Sequence, residues 1–318
     1  MTAHPDLLSS PRVTSRPFQG DADWWRLRSL LVETVPLTPP CFNWDVRRLE
    51  GKRFYHPDPA QNSKWQTQVQ LWETEDGRLA GAVNHESPGD AHLQIHPDFR
   101  YLEEEMIAWA EDNLAAPVDN GPQRAIEMVV YEYDALRHHL LEQRGYEKTP
   151  FWGFTRHMRL GHRPLVQPVM AEGYTLRTTD PENLADCRQI AAILNAAFNR
   201  SFHNAEEYQT FTRLAPCFHR DLDLVAVAPD GSFAAYVGIP YDEANRRGIF
   251  EPVCTHPDHR RKGLAQTLMH EGLLRLKASG AVDVTVDTGD MEAANALYTS
   301  IGFTEAYKGY SWQKVVSR

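Results

Sequence analysis

The stretch GIFEPVCTHPDHRRKGLA, residues 248–265, decides the fold of the second half of the chain. Residues 248–255 are mostly apolar and predict a strand, and residues 257–259 predict a turn because they contain Pro and Asp. A helix is expected from residue 263 to residue 278, because apolar side chains recur there every three or four positions. This face consists of Ala265, Leu268, Met269, Leu273 and Leu276. The stretch therefore predicts a strand joined by a tight, basic turn to an amphipathic helix.

The basic turn has the properties of a binding site for a diphosphate. The first turn of a helix leaves backbone N–H groups without partners, and the helix dipole adds partial positive charge there. Gly263 has no Cβ that would hold a bulky ligand away from these groups, and Ala265 is also small. Arg260, Arg261 and Lys262 add cations to a chain whose net charge is −10. We therefore expect an anion such as a pyrophosphate at this turn.

A second motif follows downstream. Residues 295–303 predict a short helix that begins Asn-Ala-Leu-Tyr and ends in Gly-Phe, and residues 282–287, VDVTVD, alternate as a half-buried strand should. The pattern Arg-x-x-Gly-x-Ala at residues 260–265 resembles motif A of the GNAT N-acetyltransferases, and residues 295–303 resemble their motif B. The alternative is a solvated basic helix start and an unrelated helix C-cap at Gly302.

This resemblance implies that the chain is an acyltransferase that uses acetyl-CoA as co-substrate and needs no metal. Backbone amides at the start of the helix would hold the CoA pyrophosphate, and the strand before it would offer an open edge to pantetheine. The expected cofactor-binding residues are Val253, Cys254, Thr255, Arg260, Arg261, Lys262, Gly263, Leu264, Ala265 and Asn295.

The resemblance also assigns catalytic roles. Tyr298 occupies the general-acid position, where a phenol can protonate the departing CoA thiolate; its alternative role is to pack under the helix. Glu251 is the candidate base for the attacking amine, and its alternative is a carboxylate that faces solvent. Further candidates for the base are Asp287 and His219. Met291 stands where many relatives have Asn, so Asp290 is expected to cap this helix.

The chain repeats itself weakly, because residues 96–100, HPDFR, match residues 256–260, HPDHR. Asp-Gly turns, amphipathic helices and Gly-aromatic pairs recur in the same order around both, which predicts two tandem domains of one fold. The expected class is α/β (α+β): each domain has a central mixed, mostly antiparallel sheet flanked by helices, with splayed strands at the CoA site. This layout is similar to that of mycothiol synthase-like proteins; the alternative is two unrelated α/β domains that share one pentapeptide.

We expect the first copy to be degenerate. Glu103 stands at the position that corresponds to Gly263, and with Glu104 and Glu105 it would repel a pyrophosphate. Leu141 stands near the position of the general acid. The expected organisation is a flexible leader at residues 1–11, a degenerate domain at 12–160, a linker at 161–173 and an active domain at 174–318.

Composition narrows the possible partners. The chain has 42% hydrophobic and 24% charged residues, which is typical of a globular protein, and its acidic balance disfavours nucleic acid and anionic membranes. Its four Cys lie far apart without a C-x-x-C pair, which argues against a disulfide framework or a cysteine zinc site. The sequence contains no run of about 18 consecutive apolar residues, so no membrane-spanning helix is expected. We therefore expect a cytoplasmic monomer or homodimer.

The acceptor is expected to be a small-molecule amine. Residues 199–220 combine aromatic side chains with carboxylates, which suits a cationic amine with an apolar body, unless half of these side chains face the core. The Pro- and aromatic-rich residues 35–66 would form the other wall. The expected reaction is direct attack of the amine on acetyl-CoA in a ternary complex; the alternative function is a non-catalytic acyl-CoA-binding or sensing module.

Overall fold

The first half of the chain alternates short strands with helices. A computed structural model describes residues 11–55, 64–118 and 121–316, so the expected leader lies outside the described residues except for residue 11. The strands are β1 (Val13–Pro17), β2 (Gln70–Thr74), β3 (Leu79–Asn84), β4 (His92–Ile95), β5 (Ala116–Pro117), β6 (Arg124–Tyr131) and β7 (Glu147–Arg159). The helices are α1 (Asp21–Thr34), α2 (Val46–Phe54), α3 (Glu103–Leu114) and α4 (Ala135–Gln143).

The second half repeats this order and adds a short hairpin. Its strands are β8 (Thr175–Thr178), β9 (Asp223–Val227), β10 (Phe233–Gly238), β11 (Tyr241–Asp242), β12 (Arg247–Ile249), β13 (Val253–Thr255), β14 (Asp283–Thr288) and β15 (Glu305–Val316). Its helices are α5 (Leu184–Phe198), α6 (Ala205–Leu214), α7 (Leu264–Ala278) and α8 (Glu292–Ile301). Residues 161–173 form no helix or strand.

Matching glycines mark the repeat that the sequence predicts. Gly77 and Gly231 have φ of +83° and +85° in the turns between β2 and β3 and between β9 and β10. Gly145 and Gly302 have φ of +78° and +116° just after α4 and α8. A non-glycine residue is strained at such angles, so these positions fix the same turns in both halves. The prediction of two halves with one fold is confirmed.

The two halves exchange their last strands. Two four-stranded sheets have the orders β1-β2-β3-β4 and β13-β10-β9-β8, and one seven-stranded sheet has the order β11-β12-β14-β7-β15-β6-β5. Strand β7 of the first half therefore pairs with β14 of the second, and β15 of the second half pairs with β6 of the first. The sequence predicts a separate sheet for each half, and no local pattern in it indicates this shared sheet.

The hydrophobic cores show the same exchange. Trp312 of β15 is buried in the core of the first half, while Met158 and Leu160 at the end of β7 are buried in the core of the second half. Each half thus buries apolar surface that belongs to the other, and this burial stabilises both. Within the described residues, no helix is both long and apolar enough to cross a membrane.

His157 of β7 connects the exchanged strand to both of its neighbours. Its Nδ1 lies 2.9 Å from a carboxylate oxygen of Glu305 on β15, and its Nε2 lies 3.0 Å from one of Asp283 on β14. Burial alone would lower the pKa of His157, but the hydrogen bonds to Asp283 and Glu305 outweigh burial and raise this pKa above its usual 6.5. The folded chain therefore favours a doubly protonated imidazolium at the seam.

We expect the free energy of unfolding to fall as pH rises through the raised pKa of His157. This contribution is complete below pH 6.5 and disappears above the folded-state pKa, because only the folded chain holds the extra proton. Hydrogen bonds from Arg247 and His157 outweigh burial and lower the pKa of Asp283 to about 2, so its contribution is lost only in acid. Urea unfolding between roughly pH 5 and 9 measures the slope. A His157→Gln variant should lack it, and parallel curves for the two proteins would contradict the assignment.

Candidate active site

The stretch that the sequence predicts as one strand, residues 248–255, is broken by a cis peptide bond between Glu251 and Pro252. Before the break, β12 runs parallel to β14, and Phe250 N donates to Thr285 O at 2.8 Å. After the break, β13 pairs with β10 alone. The strands β13 and β14 therefore separate beyond residue 250, and a wedge opens between them. The expectation of a continuous strand was wrong, but the expected splay is present.

The wedge exposes an open backbone edge on β13. His256 N donates to Ala234 O at 2.9 Å, and Pro252 O accepts from Gly238 N at 3.0 Å, so the even-numbered residues face β10. Because an antiparallel ladder alternates, the backbone groups of Val253 and Thr255 face the wedge. These groups fit an extended ligand that carries amides. The neighbouring Cys254 is buried, and burial raises the pKa of its thiol to about 12.

The turn at the end of β13 forms the predicted cradle. Arg261 and Gly263 have φ of +64° and +72°, so the chain turns sharply before α7 begins at Leu264. No side chain caps this helix, so its first turn offers N–H groups that have no intrahelical partner. A Cβ built on Gly263 would have no atom within 4 Å. The main chain here is therefore accessible to a large anion.

The cations of the cradle are not neutralised by carboxylates in the described part of the chain. Lys262 Nζ donates to the Tyr174 hydroxyl at 2.7 Å, and Arg260 Nη2 donates to Ala197 O at 3.2 Å. Neither cation, nor Arg261 between them, forms an ion pair among the described residues. Their charges remain available to phosphate oxygens.

Tyr298 and Asn295 project from α8, which follows the wedge. Burial, with the carboxylates of Glu251 and Asp287 nearby, raises the pKa of the Tyr298 phenol to about 12, so the phenol keeps its proton at neutral pH. Asn295 accepts from Arg156 Nε at 2.9 Å and donates to Gly289 O at 2.9 Å. Its amide therefore braces the loop before α8, and its contact with CoA stays a prediction.

The helix α8 starts without the cap that the sequence predicts. Met291 is the N-cap residue, and no side chain accepts a hydrogen bond from the first turn. The expectation that Asp290 caps this helix was wrong. The Asn295 amide holds Met291 O and Gly289 O from within the helix instead, which fixes the loop without an Asx cap.

Glu251, the base that the sequence favours, is part of an ion pair between the halves. Its Oε1 lies 2.8 Å from Nη1 of Arg47, which projects from α2 of the first half. The Glu251 side chain is 38% exposed, so it faces neither a dry pocket nor free solvent. His219, another candidate, lines a small pocket together with Glu251, Tyr55 and Phe218.

A cavity of about 530 Å³ lies at the seam of the two halves. Its floor is one face of the shared sheet, where β14, β7 and β6 contribute Asp287, Thr155 and Tyr131. Its wall is the Pro-rich part of the 35–66 segment, with Trp44 and Asp45; residues 56–63 of that segment lie outside the described residues. The cavity thus brings together side chains that are more than 200 residues apart.

Asp287 lies near the end of β14, and its carboxylate is the group in this cavity whose pKa best suits a general base. Its side chain lines the cavity and is open to solvent there, although the residue lies deep among the surrounding protein. Burial, together with the carboxylates of Glu251 and Asp45, raises the pKa of Asp287 to about 6. Burial and Glu251 also raise the pKa of Asp45. A base near neutrality therefore lies beside the wedge.

The first half has a wedge of its own, and the side chain of Asn43 fills it. A single parallel bridge joins Asp90 to Glu127, after which β4 and β6 separate. Asn43 Oδ1 accepts from Ile95 N at 2.8 Å, and Asn43 Nδ2 donates to Ile95 O at 3.0 Å. Ile95 corresponds to Thr255 in the repeat. In the first half, the Asn43 side-chain amide therefore occupies the strand edge whose counterpart in the second half is open to the wedge.

The cradle of the first half is also filled. The Glu103 carboxylate is fully buried and accepts from Arg100 Nε at 2.6 Å and from Arg137 Nε at 3.0 Å. The sequence predicts that three carboxylates here repel a phosphate. Instead, the two arginines neutralise Glu103, and Glu105 accepts from Trp72 Nε1 at 2.9 Å. Internal ion pairs therefore fill the place where a phosphate would bind, and repulsion by free carboxylates is not the main obstacle. Leu141 is fully buried in the core and offers no acid.

The predicted acceptor segment, residues 199–220, is only partly free. Tyr208 and Phe211 are buried in the core, and the Tyr208 hydroxyl forms hydrogen bonds with Asp223 and Thr179. His203 pairs with Glu207 at 3.1 Å. Arg200 of this segment and Phe198 just before it line the cavity. Among the described residues, no three His, Cys, Asp or Glu side chains cluster as a metal site would.

Comparison with known proteins defines the class. Residues 188–303, which include the wedge, the cradle and α8, match the model of the acetyltransferase (GNAT) family. A GNAT from Sphaerobacter thermophilus is 20% identical, with a TM-score of 0.61 over 99% of this chain and 98% of its own. A tandem GNAT protein from the clavulanic acid biosynthesis pathway, determined without acetyl-CoA, is 14% identical, with a TM-score of 0.64 over 96% and 99%.

A GNAT-family acetyltransferase from Colwellia psychrerythraea is 12% identical, with a TM-score of 0.57 over 95% of this chain and 99% of its own. No curated protein sequence matches this chain. The family match and the fold together indicate an acyltransferase. Residues 188–303 thus resemble a GNAT acetyltransferase domain, and the whole chain has the fold of a tandem GNAT protein.

Proposed function

We propose that the second half transfers an acetyl group from acetyl-CoA to a primary amine of a small molecule, by direct attack in a ternary complex. The wedge between β13 and β14 carries this proposal, because β13 leads into the cradle and β14 carries Asp287 into the seam cavity. Pantetheine bound along Val253 and Thr255, with its pyrophosphate at Gly263, would place the thioester between them.

The charges of the cavity support a cationic acceptor. Three of the four arginines in its lining are paired: Arg48 with Glu86, Arg137 with Glu103, and Arg247 with Asp283. The fourth, Arg200, lies over the rings of Phe198 and Phe202 and has no carboxylate partner among the described residues. Asp287 also forms no ion pair in the described part of the chain. The uncompensated charge at the floor is thus negative, which favours an ammonium group. Aromatic side chains such as Trp44 and Phe154 suit an apolar body beside that ammonium.

Tyr298 is proposed to protonate the leaving CoA sulfur. We expect Tyr298→Phe to lower kcat by roughly 100-fold or more, because general acids contribute factors of this size. Acetyl-CoA affinity should stay within about threefold of wild type, since the phenol acts at the sulfur and the cradle is untouched. The matched control is Tyr101→Phe, which changes an exposed phenol of the first half and should leave kcat unaltered.

An amine-panel screen tests the function itself. Purified protein, acetyl-CoA and each amine are incubated, and released CoA is measured with a thiol reagent. Acceleration of CoA release by at least one primary amine is the expected result, with the acetylated product confirmed by mass. Tight acetyl-CoA binding without release in the presence of any amine would overturn the proposal and identify an acyl-CoA-binding or sensing module.

A further inference from the structure

A chain of hydroxyl groups from the first half reaches Asp287 of the second. Thr155 lies directly opposite Asp287 in the β7–β14 ladder, and its hydroxyl donates to Asp287 Oδ1. The Tyr131 hydroxyl of β6 lies 3.1 Å from Thr155 Oγ1. An ionised carboxylate only accepts hydrogen bonds, so the single proton of Thr155 goes to Asp287 and Tyr131 donates to Thr155.

We propose that Asp287 is the base that takes the proton of the acceptor ammonium, and that Thr155 and Tyr131 are its positioning residues. This inference rests on the proposed acetyl transfer and identifies its base. The hydroxyl of Thr155 occupies Oδ1 and fixes the carboxylate plane, which leaves Oδ2 for the ligand. The exchanged strand β7 thereby gives the inactive half a part in the reaction of the active half.

Two protons and one acetyl group move in this step. Asp287 takes one proton from the ammonium, and the free amine attacks the thioester carbonyl carbon. A C–N bond forms while the C–S bond breaks, and the leaving sulfur takes the phenolic proton of Tyr298. The new amide nitrogen gives up its second proton, which restores the phenol directly or through water. Asp287 then releases its proton to solvent.

Geometry favours Asp287 over Glu251 for this role. Glu251 Oε1 is held by Arg47 at 2.8 Å, whereas Asp287 lines the seam cavity and has no cationic partner in the described part of the chain. The charge of Glu251 contributes indirectly, because it raises the pKa of Asp287. The titratable and charged groups that surround Asp287 are Cys41, Asp45, Arg48, Tyr131, Glu251 and Tyr298.

The test is the pH profile of kcat/KM with an amine found in the panel. Wild type should lose activity below about pH 6, where Asp287 becomes protonated. Asp287→Asn should lose roughly 100- to 10,000-fold of kcat. Thr155→Val should move the acid limb to higher pH, because a donor to the ionised carboxylate is lost. Tyr131→Phe should move it in the same direction by less, and Thr155→Ser should restore it.

Glu251→Gln should move the acid limb the opposite way, to lower pH, because a neighbouring negative charge is removed. Its kcat should stay within about tenfold of wild type, since general acid–base groups contribute more than that. Thr175→Val, which changes an exposed threonine on β8, is the matched control and should leave the profile unchanged. Acetyl-CoA affinity, measured by calorimetry, confirms that each variant is folded.

Two results would overturn the inference while the acetyl transfer still stands. The first is an Asp287→Asn protein that keeps most of its activity while Glu251→Gln abolishes it. The second is an acid limb for Thr155→Val and Tyr131→Phe that coincides with that of wild type. In contrast, a wild-type protein that acetylates no amine would end the proposed function before any variant is compared.

Discussion

Replacing Gly263 with Glu should weaken acetyl-CoA binding by at least about 100-fold. A residue with a side chain is strained at φ +72° by about 1–2 kcal/mol. The new carboxylate would also project into the open space beside the cradle, where repulsion from a phosphate about 4 Å away reaches about 4 kcal/mol at an effective dielectric constant near 20. Because 1.4 kcal/mol is a factor of ten, the repulsion alone exceeds a 100-fold loss, whereas the strain affects the free and the bound protein alike.

Calorimetry measures this loss, and Gly77→Glu is its matched control. Gly77 has φ +83°, and a Cβ at this residue would have no atom within 4 Å, so the control has the same strain and the same added charge in a hairpin of the first half. The control should bind acetyl-CoA like wild type, at one molecule per chain, because the first wedge and cradle are filled by Asn43 and Glu103. Undiminished affinity in Gly263→Glu, or two bound molecules in wild type, would contradict the cradle assignment.

Replacing Arg137 with Met should lower the free energy of unfolding by about 3–5 kcal/mol. Removing one partner of a buried ion pair leaves the other as an uncompensated buried charge, and Glu103 here is fully buried. Glu103 and Asp134 both pair with the guanidinium groups of Arg100 and Arg137. Without Arg137, the single charge of Arg100 cannot compensate both carboxylates. This network fills the cradle of the first half, so the largest stability effect falls on the half that we propose to be inactive.

Urea unfolding of a double variant separates the charge effect from simple loss of packing. Arg137→Met combined with Glu103→Met should be more stable than Arg137→Met alone, because an apolar pair leaves no buried charge. Arg159→Met is the control; its side chain is 82% exposed, and the change should stay within about 0.5 kcal/mol. Equal losses for the buried and the exposed arginine would show that the network contributes nothing.

The features that the sequence predicts are those that depend on near neighbours. Gly302 takes the left-handed conformation of a glycine that ends a helix, and α7 begins within one residue of its predicted start. Such features follow from local steric limits and apolar spacing. The break at Pro252 and the missing cap at Asp290 escaped prediction, because tertiary contacts decided both.

The candidate site was predictable only where its residues lie in the two motifs. Arg47, Asn43 and Thr155 reach the site from the first half, and no spacing in the sequence connects them to residues 248–303. Asp287 was one of several possible bases in the sequence, and only the cavity and the surrounding carboxylates distinguish it from Glu251. Long-range strand pairing is therefore the information that the motifs lack.

The exchanged strands also set an order for folding during synthesis. Strand β6 ends at Tyr131, but its neighbour β15 does not begin until Glu305, more than 170 residues later. The first half leaves the ribosome early and must keep this edge of β6 unpaired until β15 has been made. An open edge of this kind is prone to aggregation, so the first half depends on synthesis of the second half even though it is made first.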